Sequence, residues 1–257
     1  MGVLVMAHPP GRAGASDRPS ETVSLVQHAI NTVTDHIRDQ NLRVGDTLPG
    51  EAHFAGTLGV SRAVMREAFG ALAALRLIDV GNGRKARVGA IDGSVIASSL
   101  DHAVSTAQIT VPEVWDVRRT IEARTVALAA SHRTDAEAAE IVRLAEAMVR
   151  DVEDRPQMTR HDIAFHQAIA HASHNALFVQ IVSSFSHLME TAVPAAWDTR
   201  VLAEDKQATL DRHLAVACAI RDQDPAAAVL AMQTHFDASI DVVLRGMSAP
   251  TGMANDA

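Results

Sequence analysis

Cysteine is nearly absent from this 257-residue chain. Cys218 stands alone, so no intramolecular disulfide can form, and a reducing compartment is the natural one. Tyrosine is missing altogether, and two Trp with six Phe bring aromatics to only 3 %. The core must then come largely from Ala, Val and Leu, which suits packed helices. No run of apolar residues approaches the ~18 needed to cross a bilayer as a helix. The opening stretch, Met1 to Met6, is too short for a secretory signal and lacks its basic flank. A cytoplasmic protein with no membrane partner is therefore expected.

Excess positive charge is also lacking. The net charge is −8, and residues 21–92 carry eight basic and eight acidic side chains, whereas residues 93–257 are strongly acidic. Bulk basicity cannot argue for nucleic-acid binding here; only local placement can. The length allows two domains, each with its own core. We expect a disordered tail at 1–20, a first domain at 21–90, a linker at 91–93, a helical domain at 94–247 and a disordered tail at 248–257.

What is present is most informative between Leu48 and Phe69. This run reads as two short helices joined by a turn, with Gly59 ending the first and Ser61 capping the second. At 100° per residue Val64, Ala68, Ala71, Leu72 and Leu75 form one stripe, with Arg62 and Arg66 nearly opposite. A planar guanidinium there can grip a guanine edge or clamp a phosphate. The same pattern also describes an amphipathic surface helix with two solvated arginines. The flanks favour DNA: a helix over 23–37 precedes the pair, and short strand-like runs at Leu77–Val80 and Ala86–Val88 follow it. Between the strands lies Gly81-Asn82-Gly83-Arg84-Lys85, a tight turn with a basic tip. Together these predict a winged helix-turn-helix in which Ser61, Arg62, Arg66, Arg84 and Lys85 face DNA, with Arg87 nearby.

The segment 37–88 resembles the N-terminal domain of GntR-type bacterial transcription regulators. The resemblance rests on Gly45-Asp46-x-Leu48-Pro49-x-Glu51, on Gly59-Val60-Ser61-Arg62-x₃-Arg66-Glu67-Ala68, on Leu72 and on the wing glycines Gly81 and Gly83. It implies that Arg62 and Arg66 read operator DNA with support from the wing. Many relatives carry arginine where this chain has Ala52, so one DNA contact is expected to be missing or supplied elsewhere. A neutral domain of this size should bind weakly alone and gain affinity through a homodimer on a palindromic operator.

Beyond the linker the period is helical almost to the end. Helices are predicted at 94–106, 111–132, 134–153, 157–173, 175–196, 204–222 and 225–246, with Pro112, Pro156 and Pro225 near helix starts. Val114, Val117, Ile121, Thr125 and Leu128 should form one buried stripe, and Leu210, Leu214, Ala217 and Ile220 another. The fold class is thus mainly α: a winged helix-turn-helix followed by an all-α bundle of six or seven helices.

Asp162 and His166, four residues apart, share a helical face, and His213 and His235 each sit beside an apolar stripe on later helices. One carboxylate and three imidazoles drawn together would hold a divalent ion such as zinc, with nickel or manganese as alternatives. Among 13 histidines an Asp-x₃-His is unsurprising, so spacing alone leaves convergence open. Residues 110–246 are similar to the helical effector domain of the FadR branch of GntR regulators, through Arg118-x₂-Ile121-Glu122, Asp162-x₃-His166, Ile169-x₂-Ala172-Ser173-x-Asn175 and His213. The resemblance implies that Asp162, His166, His213 and His235 are metal ligands and that Arg118 pairs with an effector carboxylate. A salt bridge from Arg118 to Glu122 is the structural alternative. The whole chain is similar to galactonate-type sugar-acid repressors, which implies effector contacts from Trp197 and Asn175. The alternatives are a helix-end packing residue and a helix cap.

The expectation is a dimeric, metal-dependent repressor of operator DNA that senses a small carboxylate, either a sugar acid or a hydroxy acid. A metalloenzyme acting on a small acid, or a regulator with a purely structural metal and another effector, are the rival readings.

Overall fold

The computed structural model describes residues 24–81, 83–200 and 202–248, with side chains to residue 240. The tail expected at 1–20 lies outside the described residues, as does that at 248–257 except for Ser248. The chain divides into two compact units, residues 1–90 and 91–257.

In the first unit, α1 (Leu25–Asp39) starts at Ser24, whose hydroxyl accepts the Gln27 N–H at 3.1 Å. Helix α2 (Glu51–Leu58) ends at Gly59, held at φ +67°, a left-handed conformation that a side chain would strain. Helix α3 (Arg62–Ala74) follows at once, its Val64 N–H bonded to the Ser61 hydroxyl at 3.2 Å. Strands β1 (Ile78–Asp79) and β2 (Arg87–Val88) pair antiparallel, Ile78 opposite Val88 and Asp79 opposite Arg87. The segment Gly45–Leu48 runs along the other side of β2 through Gly45 N–H to Val88 C=O and Leu48 N–H to Ala86 C=O. Gly89 closes this wing against α3's exit, where a Cβ would stand 2.3 Å from the Arg76 carbonyl.

The buried face of α3 differs from the predicted stripe. Met65, Ala68, Phe69 and Leu72 are buried, while Val64 and Ala71 are half-buried and Leu75 is exposed. The inward face is thus rotated toward Met65 and Phe69, because Phe69 packs on Phe54 of α2 at a ring separation of 6.0 Å. Large side chains decide which way a short helix faces more strongly than Ala and Val do.

In the second unit eight helices are described: α4 (Ser94–Ser105), α5 (Val111–His132), α6 (Asp135–Arg150), α7 (Arg155–Ala172), α8 (Ala176–Ser184), α9 (Ser186–Asp198), α10 (Ala203–Arg221) and α11 (Pro225–Ser248). Capping boxes, Thr110 with Glu113 and Thr134 with Glu137, start α5 and α6. The single helix predicted at 175–196 is two. It breaks at Phe185, and α8 and α9 are bent by 51°. The Ser184 hydroxyl turns back onto the Ile181 carbonyl at this break, competing with the regular helical bonds. Among the described residues no single helix is long and apolar enough to cross a membrane.

Helix α5 also departs from expectation. Val114 and Thr125 are buried as predicted, but Val117 is 48 % exposed, and Arg118 and Glu122 point inward instead. An apolar periodicity cannot register an ion pair buried around a cavity. Along α10 the predicted stripe holds: Leu210, Ala217 and Ile220 are buried, and Leu214 packs against the same core.

Candidate metal and effector site

Helices α5, α7, α9, α10 and α11 converge on a small cavity of about 40 Å³, whose walls include Arg118, Asp162, His166, Trp197, His213 and His235. One nitrogen from each of His166, His213 and His235 lies within 4.8 Å of the other two. The ring centroids of His213 and His235 are 4.4 Å apart, and those of His166 and His235 5.3 Å. All three imidazoles are buried. Asp162 joins them through His213, its Oδ1 standing 3.0 Å from His213 Nε2.

The outer nitrogens of two rings are already engaged. His213 Nδ1 faces the Thr209 carbonyl at 2.9 Å, and His166 Nδ1 faces Glu122 Oε2. With Nδ1–H donating to Thr209, His213 Nε2 faces a carboxylate oxygen at 3.0 Å, a gap that a proton on Nε2 bridges as a hydrogen bond and that equally suits two ligands bound at ~2.1 Å to one ion at right angles. His235 Nδ1 is buried with no hydrogen-bond partner. Burial and neighbouring positive groups hold the His235 pKa well below its ordinary value, so the ring is a neutral ligand at neutral pH. Burial works against the Asp162 charge, yet the His213 hydrogen bond and nearby positive groups outweigh it and hold its pKa at about 2. This donor set fits a divalent cation, with the carboxylate behind His166 acting as an outer support.

Arg118 is 3 % exposed and already well occupied. Its Nε donates to Glu122 Oε1 at 2.8 Å, and its Nη1 reaches the Met189 sulfur. Its guanidinium carbon lies 5.2 to 5.8 Å from the ring centres of Trp115, Phe236 and Phe185. The structural alternative, a salt bridge to Glu122, is therefore present, although Arg118 also lines the cavity. Burial raises the Glu122 pKa, but the charges of Arg118 and His166 win and its carboxyl is held below the usual range.

Trp197, near the end of α9, lines the cavity and is also buried in the core, a placement that suits both the effector contact and the helix-end packing alternative. Asn175 does not. It is exposed, and its side chain accepts the Leu177 and Phe178 N–H groups as the cap of α8, so the helix-cap reading replaces the effector contact. The sequence reading missed Glu122 as a support for His166 and missed Arg200, 8 % exposed, in the cavity wall. Glu122 was signalled by its four-residue offset from Arg118; no spacing pointed to Arg200.

In the first unit Ser61, Arg62, Arg66, Arg84 and Lys85 are all exposed. The Arg66 Nε is 3.7 Å from Glu51 Oε2, an exposed pair that leaves the guanidinium free to move. The Arg84 side chain folds back over Gly81. Arg87 is engaged elsewhere: its Nη1 donates to the Gly45 carbonyl at 2.6 Å, which ties the wing to the segment before α2.

Comparison with known proteins agrees with both halves. Residues 25–88 match the family model "Bacterial regulatory proteins, gntR family", and residues 113–238 match the FCD domain. The chain is 28 % identical over 223 residues to the HTH-type transcriptional repressor NanR of Salmonella newport, covering 86 % of this chain and 85 % of that protein. The same identity and length hold for the protein of that name from Salmonella typhimurium, 84 % of which is covered. Among solved structures, Streptococcus agalactiae GntR shares the fold with a TM-score of 0.63 at 22 % identity, over 87 % of this chain and 100 % of that one. The two Salmonella relatives are named as transcriptional repressors. Residues 25–88 thus belong to the gntR family of bacterial regulatory proteins, as a winged helix-turn-helix, and residues 113–238 form an FCD domain.

Proposed function

We propose that the protein is a metal-dependent repressor that acts in the cytoplasm as a homodimer on a palindromic operator and responds to a small carboxylate. The observation that carries the reading is the convergence of His166, His213, His235 and Asp162 on one cavity together with Arg118. Nothing in an unliganded helical core calls for three imidazoles, a carboxylate and a guanidinium around a void.

In this reading the three imidazoles and Asp162 hold a divalent ion, zinc before nickel or manganese. The bound ion supplies positive charge and open coordination positions for an oxygen ligand. A 2-hydroxy or sugar acid brings a carboxylate and a neighbouring hydroxyl suited to those positions. Trp197 closes the cavity over it. The roughly 40 Å³ present is room for an ion and a few waters, so an acid enters only if the helices around it shift. That shift is the signal, and its size is set by the effector's differential affinity for the two arrangements. The relatives named as repressors support repression as the output. In the other unit Arg62 and Arg66 read base edges, Ser61 presents the recognition helix, and Arg84 and Lys85 steady the wing on the backbone.

The test is thermal. Galactonate or lactate should raise the melting temperature of zinc-loaded protein and leave that of chelator-treated protein unchanged. An equal rise in both would sink the metal-dependent reading and favour a purely structural metal.

A further inference from the structure

Arg200 follows α9 at the rim of the same cavity, and the role expected of Arg118 suits it better. Its side chain is buried, and among the described residues its one direct hydrogen bond is from Nη1 to the Ala196 carbonyl at 2.9 Å. Among the described residues no carboxylate lies within ion-pairing distance of it. Trp197 stacks near its guanidinium at 5.7 Å, with the Lys206 ammonium at the same distance from that ring. Burial, with Arg212 repelling it, pulls the Arg200 pKa down to about 10, and Asp162 and Asp205 offset only part of this. Arg212 itself has an Nε that is buried without a partner. Among the described residues Arg200 is thus a buried guanidinium in the cavity wall with no carboxylate paired to it, an arrangement that is costly unless something negative arrives.

The buried charges make the same point. Arg118 and Glu122 cancel as a bonded pair. Asp162 and Arg200 are the other buried charges around the cavity, one of each sign. With neutral imidazoles and a divalent ion in place, the site is left with two uncompensated positive charges. A monoanion would offset half of this and a dianion all of it.

Space points the same way. A second, polar pocket of about 160 Å³ shares Trp197 and Arg200 with the inner cavity and also meets Glu153, Lys206 and the ion pair of Arg155 with Asp198. Trp197 and Arg200 are thus the residues that stand between the inner cavity and the outer pocket.

We propose that Arg200 reads a second anionic group on the effector, so that the preferred ligand is a small hydroxy diacid rather than a monoacid. This rests on the metal-and-acid reading above. Arg118, held by Glu122 and three aromatic rings, serves as a fixed positive wall and not as the primary acid contact.

The test is calorimetry on full-length, zinc-loaded protein with two matched pairs of acids, lactate with malate and galactonate with galactarate. Malate carries a carboxylate in place of a methyl hydrogen of lactate, and galactarate carries one in place of the terminal CH2OH of galactonate. In at least one pair the diacid should bind at least about tenfold tighter, as a buried charge-assisted contact implies. Arg200→Gln should erase that preference with zinc content unchanged, the diacid losing about tenfold more affinity than its matched monoacid, and Arg200→Lys should keep part of it. A residue that merely ended α9 would weaken both acids alike. Monoacids binding as well as diacids in both pairs, or a preference that survives Arg200→Gln, would overturn the proposal. Should Arg200→Gln fail to fold, the wild-type comparison decides alone. Zinc-dependent binding without preference removes only this inference. No binding of any of the four, or binding indifferent to chelation, removes the metal-and-acid reading with it.

Discussion

Replacing Glu122 with Gln separates the two roles its carboxylate plays. The residue is 1 % exposed, one oxygen accepting from Arg118 Nε at 2.8 Å and the other facing His166 Nδ1. Glutamine keeps the shape and removes the charge. Arg118, itself buried, then lacks its counter-ion, and breaking a buried pair from one side costs about 3–5 kcal/mol. The rings of Trp115, Phe185 and Phe236 still face the guanidinium and offset part of this, so about 3 kcal/mol is expected. Separately, His166 loses the group that orients it toward the ion, which should weaken zinc binding about 10- to 100-fold. Both tryptophans, Trp115 and Trp197, lie in the helical unit, so their fluorescence during urea unfolding of metal-free protein reports that unit alone. Zinc affinity is read by competition with a chromophoric chelator. The double variant Arg118→Met with Glu122→Gln should recover most of the stability while zinc binding stays weak, because the stranded charge is gone and the orientation of His166 is not restored. A loss below ~1 kcal/mol in the single variant, or full recovery of zinc affinity in the double one, would refute the reasoning.

The DNA-facing unit offers two further checks. Arg66→Ala should leave zinc content and folding intact, since its side chain is 77 % exposed and its pair with Glu51 contributes about 0–1 kcal/mol. Binding to a palindrome selected from random DNA should weaken by about 2–6 kcal/mol across two half-sites, and retained affinity in a gel-shift assay would remove Arg66 from the interface. Ser61→Ala removes the acceptor of the Val64 N–H and should cost the start of α3 about 1 kcal/mol. Hydrogen exchange of the first-turn amides should then quicken roughly fivefold, whereas unchanged exchange would show that the cap contributes nothing.

The order of residues alone was enough for the helix-turn-helix, the wing and the course of α4 to α7, α10 and α11. Their signals are local: Ser24 and Ser61 cap within three residues, Gly59 ends a helix by its own backbone freedom, and Pro112 and Pro225 sit at first turns. Asp162, His166, His213 and His235 were legible as residue types, and the resemblance supplied their grouping. Only the tertiary structure decided the rest. It split the predicted 175–196 helix at Phe185, turned Arg118 and Glu122 inward, left Asn175 as a cap and brought Arg200 to the cavity wall. The physical reason is range. Glu122 meets His166 across 44 residues and Asp162 meets His213 across 51, and no periodicity within one helix encodes which charged side chains a neighbouring helix will bury.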